Sequence, residues 1–151
     1  MKFVKLFLRL AIGFGFLSAV ADRFGIWTTQ VAWGNWENFV AYTEQITPWL
    51  PTSLIPAAAI VATVCEIVFG LGLIIGWKTR VFARLSGVLL LIFALSMAFS
   101  LGVKAPFDYS VFTASAAAFA LGAINETFLE LDGYLAKRSH RPYVSTPPTP
   151  Y

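Results

Sequence analysis

The chain has 151 residues, 58% hydrophobic and only 13% charged, with a formal net charge of +3. A water-soluble domain of this size carries about a quarter charged residues, so the composition excludes an ordinary soluble fold and points to an integral membrane protein. The cations border long apolar runs, so the basic balance is expected to meet anionic lipid rather than nucleic acid.

In chain order, the first apolar run extends from Leu6 to Gly25. Basic residues ahead of it and Ala19-Val20-Ala21 behind it resemble a signal peptide. Arg9 interrupts the apolar region such a peptide needs, so an uncleaved first helix is expected. An outer loop of about 22–56 follows, rich in Trp. Within it Trp36, Phe39, Val40, Thr43 and Ile46 follow helical spacing, which predicts a short amphipathic interfacial helix ended by Pro48 and Pro51. The second run spans Ile55 to Gly76 and the third Phe82 to Val103, joined by the basic turn Gly76-Trp77-Lys78-Thr79-Arg80. A short outer turn from Gly102 to Asp108 leads to the fourth run, Phe107 to Ile124, with a possible extension through Phe128 and Leu131. Residues 136–151 are basic and then Pro-rich, and are expected to form a disordered cytoplasmic tail.

Each run holds roughly 18 to 22 residues, long enough for a bilayer's ~30 Å of hydrocarbon. Turns as short as these force antiparallel neighbours. The expected fold is therefore all-α, an integral membrane antiparallel four-helix bundle over 1–135. Lys2, Lys5, Arg9, Lys78, Arg80, Arg84, Lys137, Arg138 and Arg141 fall on one side, against Arg23 and Lys104 on the other. That asymmetry predicts a multi-pass protein of the bacterial inner membrane with both termini cytoplasmic.

Glu66, near the middle of the second run, is the strongest pointer to chemistry. An acidic side chain there costs about 2.5 to 3.5 kcal/mol on insertion scales, so it needs a partner, a proton or a function. Three readings stand for Arg9: snorkelling to the inner interface, pairing with Glu126 or Glu130, or forming a polar centre with Glu66. By depth, Arg9 and Glu66 differ by ~10 Å. Glu66 could also hydrogen-bond Thr63 or a serine on another span. Asp22 could face Lys104 across the outer side. Tyr109 and Ser110 could line an outer vestibule, and Glu66, Thr63, Tyr109 and Trp36 are the candidates to contact a cofactor. The single cysteine, Cys65, excludes an internal disulfide or CxxC centre. No metal-ligand spacing is visible, and His140 is the only histidine.

Leu8-Arg9-Leu10-Ala11-Ile12-Gly13-Phe14, the Gly-and-Leu-rich stretch Glu66 to Gly76, and the turn Lys78-Thr79-Arg80 together resemble the DoxX family of small bacterial membrane proteins. The resemblance covers roughly 125 residues in a run of degenerate motifs whose specificity lies in their order and spacing. It implies a redox-associated accessory subunit, quinone-linked or docking an oxidoreductase partner, with Arg9 and Glu66 at the family's charged positions. Quinone is the implied cofactor, and a homo-oligomer is compatible with it. A small proton-coupled transporter and a non-catalytic membrane scaffold are the alternatives.

Overall fold

A computed structural model describes residues 1–139 as entirely helical apart from turns and connecting segments. The elements are α1 (Lys2–Arg23), α2 (Trp36–Ile46), α3 (Ile55–Ile75), α4 (Thr79–Leu101), α5 (Lys104–Asp108), α6 (Val111–Ala123) and α7 (Leu131–Ser139), with a 3-10 turn at Thr52–Leu54 before α3. Three of these helices are long and apolar enough to cross a membrane: α1, α3 with its preceding turn, and α4.

Local signals account for the boundaries. Pro56 sits in the first turn of α3, where its missing N–H costs nothing. Gly76 ends α3 in a left-handed conformation (φ 77°), and its N–H returns to the Gly72 carbonyl at 3.0 Å. Asn35 caps α2 by accepting from the Asn38 amide at 2.8 Å. α2 buries Phe39, Thr43 and Ile46, the stripe predicted from the spacing, and it ends at Ile46, ahead of Pro48.

The fourth apolar run behaves differently from the other three. α6 has only 13 residues, or ~20 Å of helix, and stops at Ala123 rather than continuing through Leu131. Residues 124–130 are non-helical and cross the end of the molecule that carries the N-terminus. α7 then runs to Ser139, so the expected tail boundary at 136 falls inside a helix. The rest of that tail, with His140, lies outside the described residues.

α1 packs on α3, α3 on α4, α4 on α6, and α6 returns to α1. Residue numbers fall along α3 as they rise along α1: Arg9 meets Leu73 and Ile74, Gly13 meets Gly70, and Arg23 meets Thr63. The pair is antiparallel. A Cβ on Gly13 would lie 2.7 Å from Ile74 Cγ1 and 3.0 Å from the Gly70 carbonyl oxygen, so glycine permits this close crossing. On the other side of the ring, Ser115 donates to the Gly87 carbonyl at 2.8 Å, tying α6 to α4.

The exterior and interior are inverted relative to a water-soluble protein. Phe7, Phe14, Val61, Val64, Val88, Ile92 and Phe99 lie exposed on the helix flanks. Lys5, Arg9, Asp22, Arg23, Glu66 and Glu130 are buried. Apolar surface of this extent is stable only against lipid or partner, and charges can occupy the interior only when compensated.

Candidate functional site

Register explains how a mid-helix acid finds its partner. Arg23 is the last residue of α1, yet it lies level with Thr63 because α3 continues eight residues further before its N-terminus at Ile55. That end of the molecule, away from the chain's N-terminus, is the outer end, and the N-terminal end is the inner one. Glu66 is one helical turn from Thr63 and shares its face. Arg23 Nη1 donates to Thr63 Oγ1 at 2.8 Å, and the Thr63 hydroxyl in turn donates to the Ala59 carbonyl at 2.8 Å. Both Glu66 oxygens lie 2.8 Å from Arg23 Nη2. Oε1 accepts the hydrogen bond, while Oε2 makes a charge contact without a well-aligned one. Arg23 and Glu66 are each only 2% exposed. The cation also sits at the carbonyl end of α1, where the helix dipole favours it.

Aromatic rings from the outer segment close over this pair. The Phe39 centroid lies 3.6 Å from the guanidinium carbon and the Trp33 centroid 5.1 Å, an arrangement favourable for cation–π attraction in a desolvated site. Trp33 packs edge-on to Phe39, and Trp36 tilts against it. α2 packs chiefly on α3 and α4, and Ser100 of α4 donates to the Ile46 carbonyl at 2.9 Å. The roof is therefore fixed to the outer ends of the long helices. One donor beneath it, Arg23 Nε, is buried with no acceptor.

Asp22 holds the roof in place. Its carboxylate accepts from the backbone amides of Ala32, Trp33 and Gly34, at 3.3, 2.7 and 3.4 Å. It does not face Lys104, which pairs instead with Asp108 one turn away. A cleft of about 410 Å³ opens beside this anchor, between α1 and residues 27–33, and Trp33 forms part of its wall.

Arg9 lies at the other end and does not meet Glu66. Its Nε and Nη2 donate to the Leu73 and Ile74 carbonyls at 2.9 and 3.0 Å, in the last turn of α3. Its Nη1 donates to the Phe128 and Leu129 carbonyls at 3.0 and 2.9 Å. Lys5 adds a bond to the Glu126 carbonyl, and Glu130 sits 2.8 Å from Lys5 Nζ and 3.7 Å from Arg9 Nη1. The chemical reason is clear: a helix end and a non-helical segment expose carbonyls that lipid cannot satisfy, and the planar fork of a guanidinium reaches both sets at once. The Arg9–Glu66 centre is thus replaced by two separate ones, an outer Arg23–Glu66–Thr63 centre and an inner Lys5–Arg9–Glu130 clamp. Of the two acids weighed for Arg9, Glu130 is the nearby one; Glu126 faces the N-terminal amine, at 3.6 Å.

The remaining candidates are dispersed. Thr63 belongs to the outer centre, and Trp36 stacks on Phe24 at its edge, with centroids 6.3 Å apart. Tyr109 is 74% exposed, between α5 and α6. Cys65 is half-buried beside Glu66 and makes no disulfide. Among the described residues, no cluster of three His, Cys, Asp or Glu side chains is placed to hold a metal.

Arg23 and Asp22 are the site residues to which the sequence did not point. The helical stripe containing Phe39 was legible, but the depth of Arg23 was hidden by the stagger of α1 against α3. In comparisons with known proteins, no family model, no curated protein and no solved structure matches this chain.

Proposed function

We propose that the chain is a DoxX-like, four-span antiparallel bundle of the bacterial inner membrane, with both termini cytoplasmic. Its fourth crossing combines the short α6 with residues 124–130, whose carbonyls are compensated by Lys5 and Arg9. The cations Lys2, Lys5, Arg9, Lys78, Arg80 and Arg84, against Arg23 and Lys104 at the other end, support that orientation. Within this fold the outer centre serves a redox-associated accessory role, binding a quinone or presenting the outer surface to an oxidoreductase partner.

The observation that carries the reading is the Arg23 Nε proton. It is a buried donor without an acceptor, behind an aromatic wall that also borders an outer cleft. A buried unpaired donor is costly, and a ligand carbonyl would satisfy it. The aromatic faces of Trp33 and Trp27 at the cleft suit a flat quinone ring. A bound quinone would supply two-electron carrier chemistry, while this chain's residues would bind its head and exclude water. The test is extraction of the protein from native-like membrane, with quantification of retained quinone. Wild type should retain it and Glu66→Gln, which unsettles Arg23, should retain less. Quinone-free wild type with no measurable rebinding refutes the proposal.

A scaffold without chemistry is the second reading. It is favoured by the Phe39 ring covering the guanidinium at 3.6 Å, which leaves the pair closed from solvent. In that case Glu66→Gln changes stability alone.

A further inference from the structure

The inner end of the molecule carries a second cleft, of about 310 Å³, where the start of α4 meets the non-helical segment after α6. Four charged groups near it are already committed. Glu130 faces Lys5 and Arg9, while Asp132 caps α4 by accepting from the Lys78 and Thr79 amides at 2.8 and 3.0 Å. Lys78 and Arg80 also line the cleft, and among the described residues neither joins an ion pair. Thr79 lines it too, and its buried hydroxyl has no hydrogen-bond partner. Lys5, Lys78 and Arg80 in the lining outnumber Glu130 and Asp132, so the net charge presented to a ligand is positive.

The surface beside this cleft selects the kind of anion. Val81 belongs to the lining and is 52% exposed. From it an apolar stripe continues along α4 through Leu85, Val88 and Ile92, all exposed and spaced four, three and four residues apart. Trp77, beside Lys78, is exposed at the same end, as interfacial aromatics are. A cationic recess at the foot of an apolar stripe matches a molecule with an anionic head and a hydrocarbon tail. Free phosphate would use the recess and leave the stripe unexplained.

We infer that this cleft is a binding site for the phosphate headgroup of an anionic phospholipid, with Lys78 and Arg80 as its charged contacts and the α4 stripe receiving the acyl chains. The site rests on the membrane reading of the fold and is independent of the quinone reading at the outer centre.

The experiment is a titration of the purified full chain in detergent with phosphatidylglycerol, followed by native mass spectrometry. Phosphatidylcholine and inorganic phosphate serve as separate arms. Phosphatidylglycerol should bind in preference to phosphatidylcholine and weaken as salt rises. Lys78→Gln with Arg80→Gln should lower its affinity on the order of 10- to 30-fold, at about one kcal/mol per cation. Lys78→Arg with Arg80→Lys should restore binding, while Lys104→Gln at the opposite end should leave it unchanged. The side chains replaced are exposed, and an unchanged melting curve for the double variant verifies its fold. Equal binding of both lipids, wild-type affinity in the double glutamine variant, or displacement of lipid by equimolar inorganic phosphate would each overturn the assignment.

Discussion

Replacing Arg9 with Lys keeps the charge and removes the fork. The guanidinium spans two groups of acceptors: the Leu73 and Ile74 carbonyls on α3, and the Phe128 and Leu129 carbonyls on the crossing segment. An ammonium donates from a single point, so it can serve one group and must release the other. Two carbonyls then lose their donors at a buried site. Polar interactions between membrane helices average ~0.6 kcal/mol each, while bonds to charged groups in soluble proteins contribute about 1.5 to 3. The expected loss is therefore about 1 to 6 kcal/mol, concentrated where residues 124–132 meet α3. Hydrogen exchange in detergent reads this directly at the Asp132 amide, which donates to the Gly76 carbonyl at 3.2 Å. A local loss of that size accelerates exchange between about 5-fold and 25,000-fold. Trp33 fluorescence, reporting the outer centre, should not change. Wild-type protection at Asp132 together with an unchanged unfolding midpoint would refute the clamp.

Three further outcomes test the rest. Glu66→Gln and Arg23→Met should each destabilise by about 3 to 5 kcal/mol, because each strands a buried partner, and the double variant should cost less than their sum; additive unfolding energies would mean that the pair is not coupled. Gly13→Ala should cost about 1 to 3 kcal/mol at the α1–α3 crossing, whereas Gly15→Ala, with no atom within 4 Å of its Cβ, should be neutral or slightly stabilising in thermal melts. Burial, reinforced by Tyr109, raises the Tyr42 phenol above its usual 10. Its stabilising contribution is therefore present below pH 10 and is lost as pH rises through the folded-state value, so phenolate absorbance should appear late and Tyr42→Phe should flatten the alkaline fall in stability.

Much of the helical plan was legible because hydrophobic run length is a strong signal. The three long helices start and stop close to their apolar runs, and the Trp36–Ile46 stripe was readable from spacing alone. The polar pairing was not. The depth comparison between Arg9 and Glu66 assumes that every span begins at a common plane, whereas α3 projects beyond the end of α1 and α2 fills the space left over. Arg23 thereby changes from a boundary charge to a buried one, a fact of stagger that no single helix encodes. The role of Arg9 depended on α6 stopping early. Asn125 and Thr127, both poor helix formers, were the available hint, outweighed by the apolar Phe128 and Leu131 beyond them.

The inner clamp also orders events during synthesis. Lys5 and Arg9 leave the ribosome well before the carbonyls and carboxylate that compensate them, the Lys5–Glu126 and Arg9–Phe128 contacts being separated by 121 and 119 residues. Until those last residues emerge, the opening helix holds two cations with no internal counterpart, and headgroups or insertion machinery must shelter them. A nascent chain halted at Ala123 would lack every one of these compensating groups.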